Sequence, residues 1–174
     1  MNKALRTAAV AAASLATLCF SGAASAAWTF TDDTGGASIS GAFPSFTLTG
    51  SDLFDLKDDV ATYTQTFAAA QAVAFTWSYA TLDCCGGEWD PAGYVLNGVR
   101  HQLSLDGAPL QGSAGAATVE VAAGDVFGWY VESLDSSQGP GILSVSVVPE
   151  PASVALLLAG LGALAYAARR RAKG

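Results

Sequence analysis

The stretch Ala61-Thr62-Tyr63-Thr64-Gln65-Thr66-Phe67 alternates strictly, with threonine at every second position. A repeat of two places alternate side chains on opposite faces of an extended chain, whereas a helix needs a repeat of 3.6. No stretch between Ala27 and Val147 repeats apolar residues at 3.6. Instead the runs "ASISG", "SFTLTG", "VATYTQTF", "AVAFTWSYAT", "GYVLNGVRHQLSL", "ATVEVAAGD", "VFGWYVESLD" and "GILSVSVV" are short and rich in β-branched and aromatic residues. Gly, Asp and Ser turns separate them. Asn97-Gly98, between "GYVL" and "VRHQLSL", signals a type I′ hairpin, because both residues tolerate positive φ. Asp106-Gly107 and Gly124-Asp125 read as two further tight turns. Eight or nine such strands predict an all-β fold, an antiparallel β-sandwich of jelly-roll type. The strand order is not readable from the pattern.

The two ends do not belong to that fold. Lys3 and Arg6 precede an uncharged stretch from Ala8 to Phe20, and Ala24-Ser25-Ala26 closes it with small residues at alternate positions. That is a secretory signal peptide over 1–26, with signal peptidase cutting after Ala26. Its apolar core falls short of the ~20 residues that span a bilayer, which weighs against an uncleaved anchor. Leu18 before Cys19 is too bulky for lipoprotein processing. Residues 27–147 form the exported domain, long enough for one compact core.

The last segment, 148–174, reads differently. Seventeen uncharged residues run from Ala152 to Ala168, at the short end of the ~17–25 range for a transmembrane helix. Arg169, Arg170, Arg171 and Lys173 follow, and basic residues stay cytoplasmic, so the body of the chain lies outside. Gly160 and Gly162 would permit close helix contact. Pro149 and Pro151 hold the chain extended just before the helix, where a processing enzyme can grip it.

"VPEPASVALLLAGLGALAYAARRRAKG", from Val148 to Gly174, resembles the PEP-CTERM sorting signal of Gram-negative bacteria: Pro-Glu-Pro, an apolar helix, then an arginine cluster. The resemblance implies recognition by an exosortase through Pro149, Glu150 and Pro151, with the basic cluster at Arg169, Arg170 and Arg171. It implies transient anchoring by the C-terminal helix, then delivery to the cell surface or exterior, alongside exopolysaccharide and biofilm material. Phe75 to Ser146 is also similar to a domain that recurs in PEP-CTERM proteins, in "DPAGYVLNG" and "AGDVFGWYV". In architecture that stretch resembles CUB-like or lectin-like sandwiches, and the resemblance carries over no established activity.

Within the exported domain fourteen acidic residues face only Lys57 and Arg100, a balance of −12. Such a surface disfavours nucleic acid and anionic lipid, which need clustered Lys and Arg. It is compatible with cations, and equally with a solvated surface that keeps an external protein dispersed.

The loop "LDCCGGEWDPAG" carries the least ordinary chemistry. Cys84 and Cys85 are the only cysteines left after signal removal, in an oxidising space. Neighbouring Cα atoms sit about 3.8 Å apart, tighter than the usual ~4.4–6.8 Å of a disulfide. A bond between them would be a strained vicinal bridge that stiffens the loop; intermolecular pairing and free thiols are the alternatives. A zinc site would need about four ligands, and only His101 could join the thiols. Asp83, Glu88 and Asp90 supply hard oxygen ligands that Ca²⁺ takes, as do Asp52, Asp55, Asp58 and Asp59 further upstream. Gly86 and Gly87 favour the first group, although loop acids are ordinarily just solvated. Trp77 and Trp129 lie in apolar strands and read as core, while Trp89, between two acids in a loop, is a candidate saccharide contact.

No catalytic motif and no cofactor requirement appear, calcium aside. The chain therefore reads as a non-enzymatic surface or extracellular-matrix protein, processed by exosortase, binding polysaccharide or further copies of itself. The alternative is an extracellular polysaccharide hydrolase, which would need two carboxylates facing a groove.

Overall fold

The computed structural model describes residues 26–107, 112–148, 157, 159–164 and 169. Ten strands occur among them: β1 (Thr29–Asp32), β2 (Ser38–Ala42), β3 (Ser45–Thr49), β4 (Asp59–Thr66), β5 (Gln71–Thr81), β6 (Ala92–Leu96), β7 (Val99–Gln102), β8 (Gly112–Val121), β9 (Val126–Ser133) and β10 (Gly141–Val148). They form two five-stranded antiparallel sheets, in the orders β1-β4-β9-β6-β7 and β2-β3-β10-β5-β8. The expected all-β sandwich is what forms. β1 was not expected, because four residues that are at best half-buried carry little pattern.

Only β2–β3 and β6–β7 are hairpins; every other connection carries the chain from one sheet to the other. Sequential strands therefore land in different layers, and each sheet face must be apolar at alternate residues to close the core. In β5 the inward set is Val73, Phe75, Tyr79 and Thr81, all buried. β3 contributes Phe46 and Leu48, β10 Leu143 and Val145, and β9 Phe127, Trp129 and Val131. Trp129 is 0% exposed and its ring stands against four others: Trp28, Phe46, Phe75 and Phe127, with centroids 5.0–5.3 Å away. Trp77 is only partly buried, its ring lying over Gly115 on the neighbouring strand.

The Asn97-Gly98 turn forms as expected, with φ of 53° and 80°. Asn97 also does more than tolerate the turn. Its Oδ1 accepts the Val126 N–H at 2.9 Å and its Nδ2 donates to Asp125 Oδ1 at 2.8 Å, tying the hairpin tip to the β8–β9 turn. Gly124-Asp125 is a reverse turn closed by the Ala122 N–H on Asp125 Oδ2 at 2.7 Å. Asp106-Gly107 instead opens the long β7–β8 crossover.

Beyond β10, Leu157, residues 159–164 and Arg169 are helical and exposed. No helix among the described residues is long and apolar enough to cross a membrane. The signal segment, Pro149, Glu150, Pro151, Arg170 and Arg171 lie outside the described residues.

Candidate functional site at the long-loop end

The loops are sorted by length. At one end the strands are joined by the turns 43–44, 67–70, 97–98 and 122–125, of two to four residues. At the other end lie 33–37, 50–58, 82–91 and 134–140, of five to ten residues, and the described start of the β7–β8 connection, 103–107. The pairings Ser38↔Thr49, Asp59↔Ser133, Gly141↔Thr81 and Gly93↔Gln102 set these five segments side by side. Eleven of the fourteen acids lie in these loops or at the strand ends that enter them. The acidity expected of the whole domain is thus concentrated at one pole.

Backbone hydrogen bonds lash the long loops together: Phe54 N–H to Ser136 O at 2.6 Å, Leu82 N–H to Pro140 O at 3.1 Å, and Leu134 N–H to Trp89 O at 2.8 Å. Above this framework Leu53, Phe54, Leu56, Leu82 and Leu134 are exposed. Phe54 and Leu56 both sit at φ 57°, a left-handed conformation costly for such side chains. Trp89 closes a short 3-10 turn, Gly87–Trp89, and remains 41% exposed.

Beneath the surface the picture departs from solvated acids. Asp83 and Asp90 are 0% exposed and Asp59 is 2% exposed. Asp90 Oδ2 accepts the Thr81 hydroxyl at 2.9 Å, and its carbonyl accepts the Tyr79 hydroxyl at 2.7 Å. Burial pushes the Asp90 carboxyl up to about 6; the Thr81 and Ser133 hydroxyls oppose this, and the charges of Asp83 and Asp135 add to it. One oxygen of each of these three aspartates has no hydrogen-bond partner.

The calcium set expected from sequence is only partly gathered. Glu88 is exposed and its Oε2 accepts the Gly107 N–H at 3.0 Å, while Asp90 turns to Thr81. Among the described residues, the cluster whose donor atoms lie within 4.8 Å of one another is Asp83, Cys84 and Cys85. The two cysteines are exposed free thiols with sulfurs 3.2 Å apart, Cys84 also reaching Gln138 Oε1 at 3.4 Å. Asp83 Oδ1 accepts the Cys85 N–H. The Cys85 thiol is pushed up to about 11, chiefly by the hydrogen bond with Cys84. His101 is not part of this cluster; it stacks on Tyr94 at 4.6 Å.

A concavity of about 420 Å³ lies on the outer face of the β2-β3-β10-β5-β8 sheet. Ser40, Ser45, Thr47, Thr76, Ser78 and Ser144 line it, with no carboxylate among its lining residues. Thr47 and Ser144 bond across strands at 2.9 Å, so part of this hydroxyl array is held in place. It is not legible along the chain, because its members come from four strands.

Residues 147–171 match the PEP-CTERM protein-sorting motif. The motif implies export and exosortase-mediated delivery to the surface or exterior. No curated protein matches the chain in sequence. Among solved structures, a family 35 carbohydrate binding module from Clostridium thermocellum shares 13% identity over 67% of this chain and 90% of its own, with a TM-score of 0.35. TmCBM61 in complex with β-1,4-galactotriose shares 10% identity over 71% of this chain and 88% of its own, with a TM-score of 0.40.

Proposed function

We propose that this bearer of the PEP-CTERM motif is an exported surface protein, processed by exosortase, whose sandwich is a non-enzymatic binding module for extracellular polysaccharide. The carrying observation is the direction of β10. This strand lies in the middle of its sheet, starts at the long-loop pole with Gly141 and ends at the short-turn pole with Val148. The sorting motif begins at Val147, inside the strand, so no linker intervenes. Eight extended residues span about 25 Å, which holds the long-loop pole and Trp89 away from the point of attachment.

Two features favour binding over hydrolysis. A glycosidase needs two carboxylates reaching a sugar across a groove, but Asp83 and Asp90 are closed off from solvent. The hydroxyl-lined concavity offers hydrogen bonding without an acid. An exposed Trp89 ring supplies the apolar face on which a sugar ring stacks.

The test has two parts. Replacing Pro149, Glu150 and Pro151 together by alanine is expected to hold the protein in the membrane fraction of its host; release at the wild-type level would sink the sorting assignment. For binding, the full-length chain is titrated with the host's exopolysaccharide. Trp89→Ala should weaken binding about tenfold, the loss of one stacking contact of ~1.4 kcal/mol, with the melting temperature unchanged. No binding by the wild-type chain would remove the polysaccharide reading and leave a self-associating surface protein.

The vicinal cysteines belong to the same proposal. In the oxidising exterior an external thiol oxidant takes two electrons and two protons from Cys84 and Cys85, leaving one Sγ–Sγ bond within the loop. Mass spectrometry of exported protein should find that link; alkylation of both thiols without reductant would refute it.

A further inference from the structure

Asp32, Asp59 and Ser51 meet where three segments converge: the end of β1, the start of the 50–58 loop and the start of β4. Asp32 Oδ1 and Asp59 Oδ1 accept the same backbone N–H, that of Thr34, at 3.2 and 3.1 Å. Two carboxylate oxygens drawn to one donor are close neighbours, and like charges at that range repel. Asp32 Oδ2 is anchored by the Ala37 N–H at 3.0 Å, which fixes the direction of its carboxylate.

The remaining valences are idle. Asp59 is 2% exposed and Ser51 1% exposed, and the Ser51 hydroxyl faces the Asp59 carboxyl, yet neither Asp59 Oδ2 nor Ser51 Oγ has a partner at hydrogen-bond distance. A buried carboxylate without a counter-charge costs several kcal/mol, and an idle buried hydroxyl beside it adds to that cost. No cationic side chain of the exported domain relieves this. Lys57 is committed to Asp55 at 2.8 Å, and Arg100 lies against Glu132 further along the β1-β4-β9-β6-β7 sheet. Gly36 keeps the loop closed over the group: a Cβ there would stand 2.1 Å from Ser51 Oγ.

We infer that Asp32, Asp59 and Ser51 form a binding site for a hard divalent cation, calcium in particular, that pins β1 and the 50–58 loop to the sandwich. All the donors are oxygen, with neither imidazole nor thiolate among them, which suits Ca²⁺ rather than zinc. They come from three loosely joined segments, a set tolerant of the irregular six- to eight-fold coordination of calcium and ill-suited to the strict octahedron of magnesium. Backbone carbonyls and water complete the shell. This site is separate from the Asp83–Asp90 loop named from the sequence, and it stands whether or not the sandwich binds polysaccharide.

An ion that binds the folded chain and not the unfolded one raises the melting temperature by mass action. The full-length chain at pH 7.5 should melt about 5–10 °C higher in 1 mM Ca²⁺ than in EGTA, with little gain in 1 mM Mg²⁺. Asp59→Asn and Asp32→Asn should each abolish the gain, and Asp59→Asn in EGTA should melt no lower than wild type, because it removes an uncompensated buried charge. Glu88→Gln should keep the gain in full. Three results would overturn the inference: equal melting in Ca²⁺ and EGTA, a calcium gain that survives Asp59→Asn, or a gain lost in Glu88→Gln, which would put the ion in the other loop.

Discussion

Trp129→Ala should cost the sandwich about 3–5 kcal/mol, the range for emptying a large aromatic site, and lower its melting temperature by roughly 10–20 °C. At Trp129 both sheets and the entering chain meet. It belongs to β9 of one sheet, touches Phe46 and Phe75 of the other, and carries Trp28 on its remaining side. Its removal opens a cavity that neighbours fixed in two sheets cannot collapse into, because a close-packed interior relaxes only in part. Trp129→Phe should cost far less, about 1–2 kcal/mol. Phenylalanine keeps most of the ring contacts, and it removes an indole N–H that is buried without a partner. Chemical denaturation of the two variants checks the ranking; equal losses would mean the indole contributes through something other than packing.

Asp90→Asn should stabilise the protein at pH 7.5 and leave it nearly unchanged at pH 4, measured with chelator present. Asp90 is fully buried, and its carboxyl titrates near 6 in the folded state against 3.8 for the ordinary group. The folded state therefore holds its proton more tightly than the unfolded state does. Stability contributed at this position is complete below pH 4 and is lost as pH rises through 6, by about 3 kcal/mol for a shift of some two units. Asparagine is neutral throughout, and its side-chain carbonyl can still accept the Thr81 hydroxyl. The expected gain is about 2 kcal/mol at pH 7.5, shrinking toward zero as the wild-type aspartate protonates. A gain independent of pH would show that charge burial is not its source.

These two residues illustrate what could and could not be read along the chain. Trp129 sits in "VFGWYVESLD", whose composition alone marks a buried strand, and the structure buries it. Asp83 and Asp90 sit in a Gly-rich loop where acids are ordinarily solvated. Nothing in "LDCCGGEWDPAG" tells that Leu134 and Pro140, some fifty residues on, close over it. The Asp32–Asp59–Ser51 group was still less visible, since Asp32 ends a strand too short to stand out and its partners lie 19 and 27 positions away.

The sequence by itself determined the strands other than β1, the hairpin at Asn97-Gly98, the net acidity and the sorting motif. Each is a local property, set by the two-residue repeat of an extended chain, by the positive φ that Asn and Gly accept, or by contiguous residues that a partner enzyme reads directly. Tertiary structure alone decided which strands pair, as with Thr47 and Ser144 joined across 97 positions. It likewise decided that the long loops share one pole, and that three of their aspartates are buried. Those outcomes depend on long-range closure, in which burial forced by the packing of two sheets outweighs the preference of each carboxylate for water.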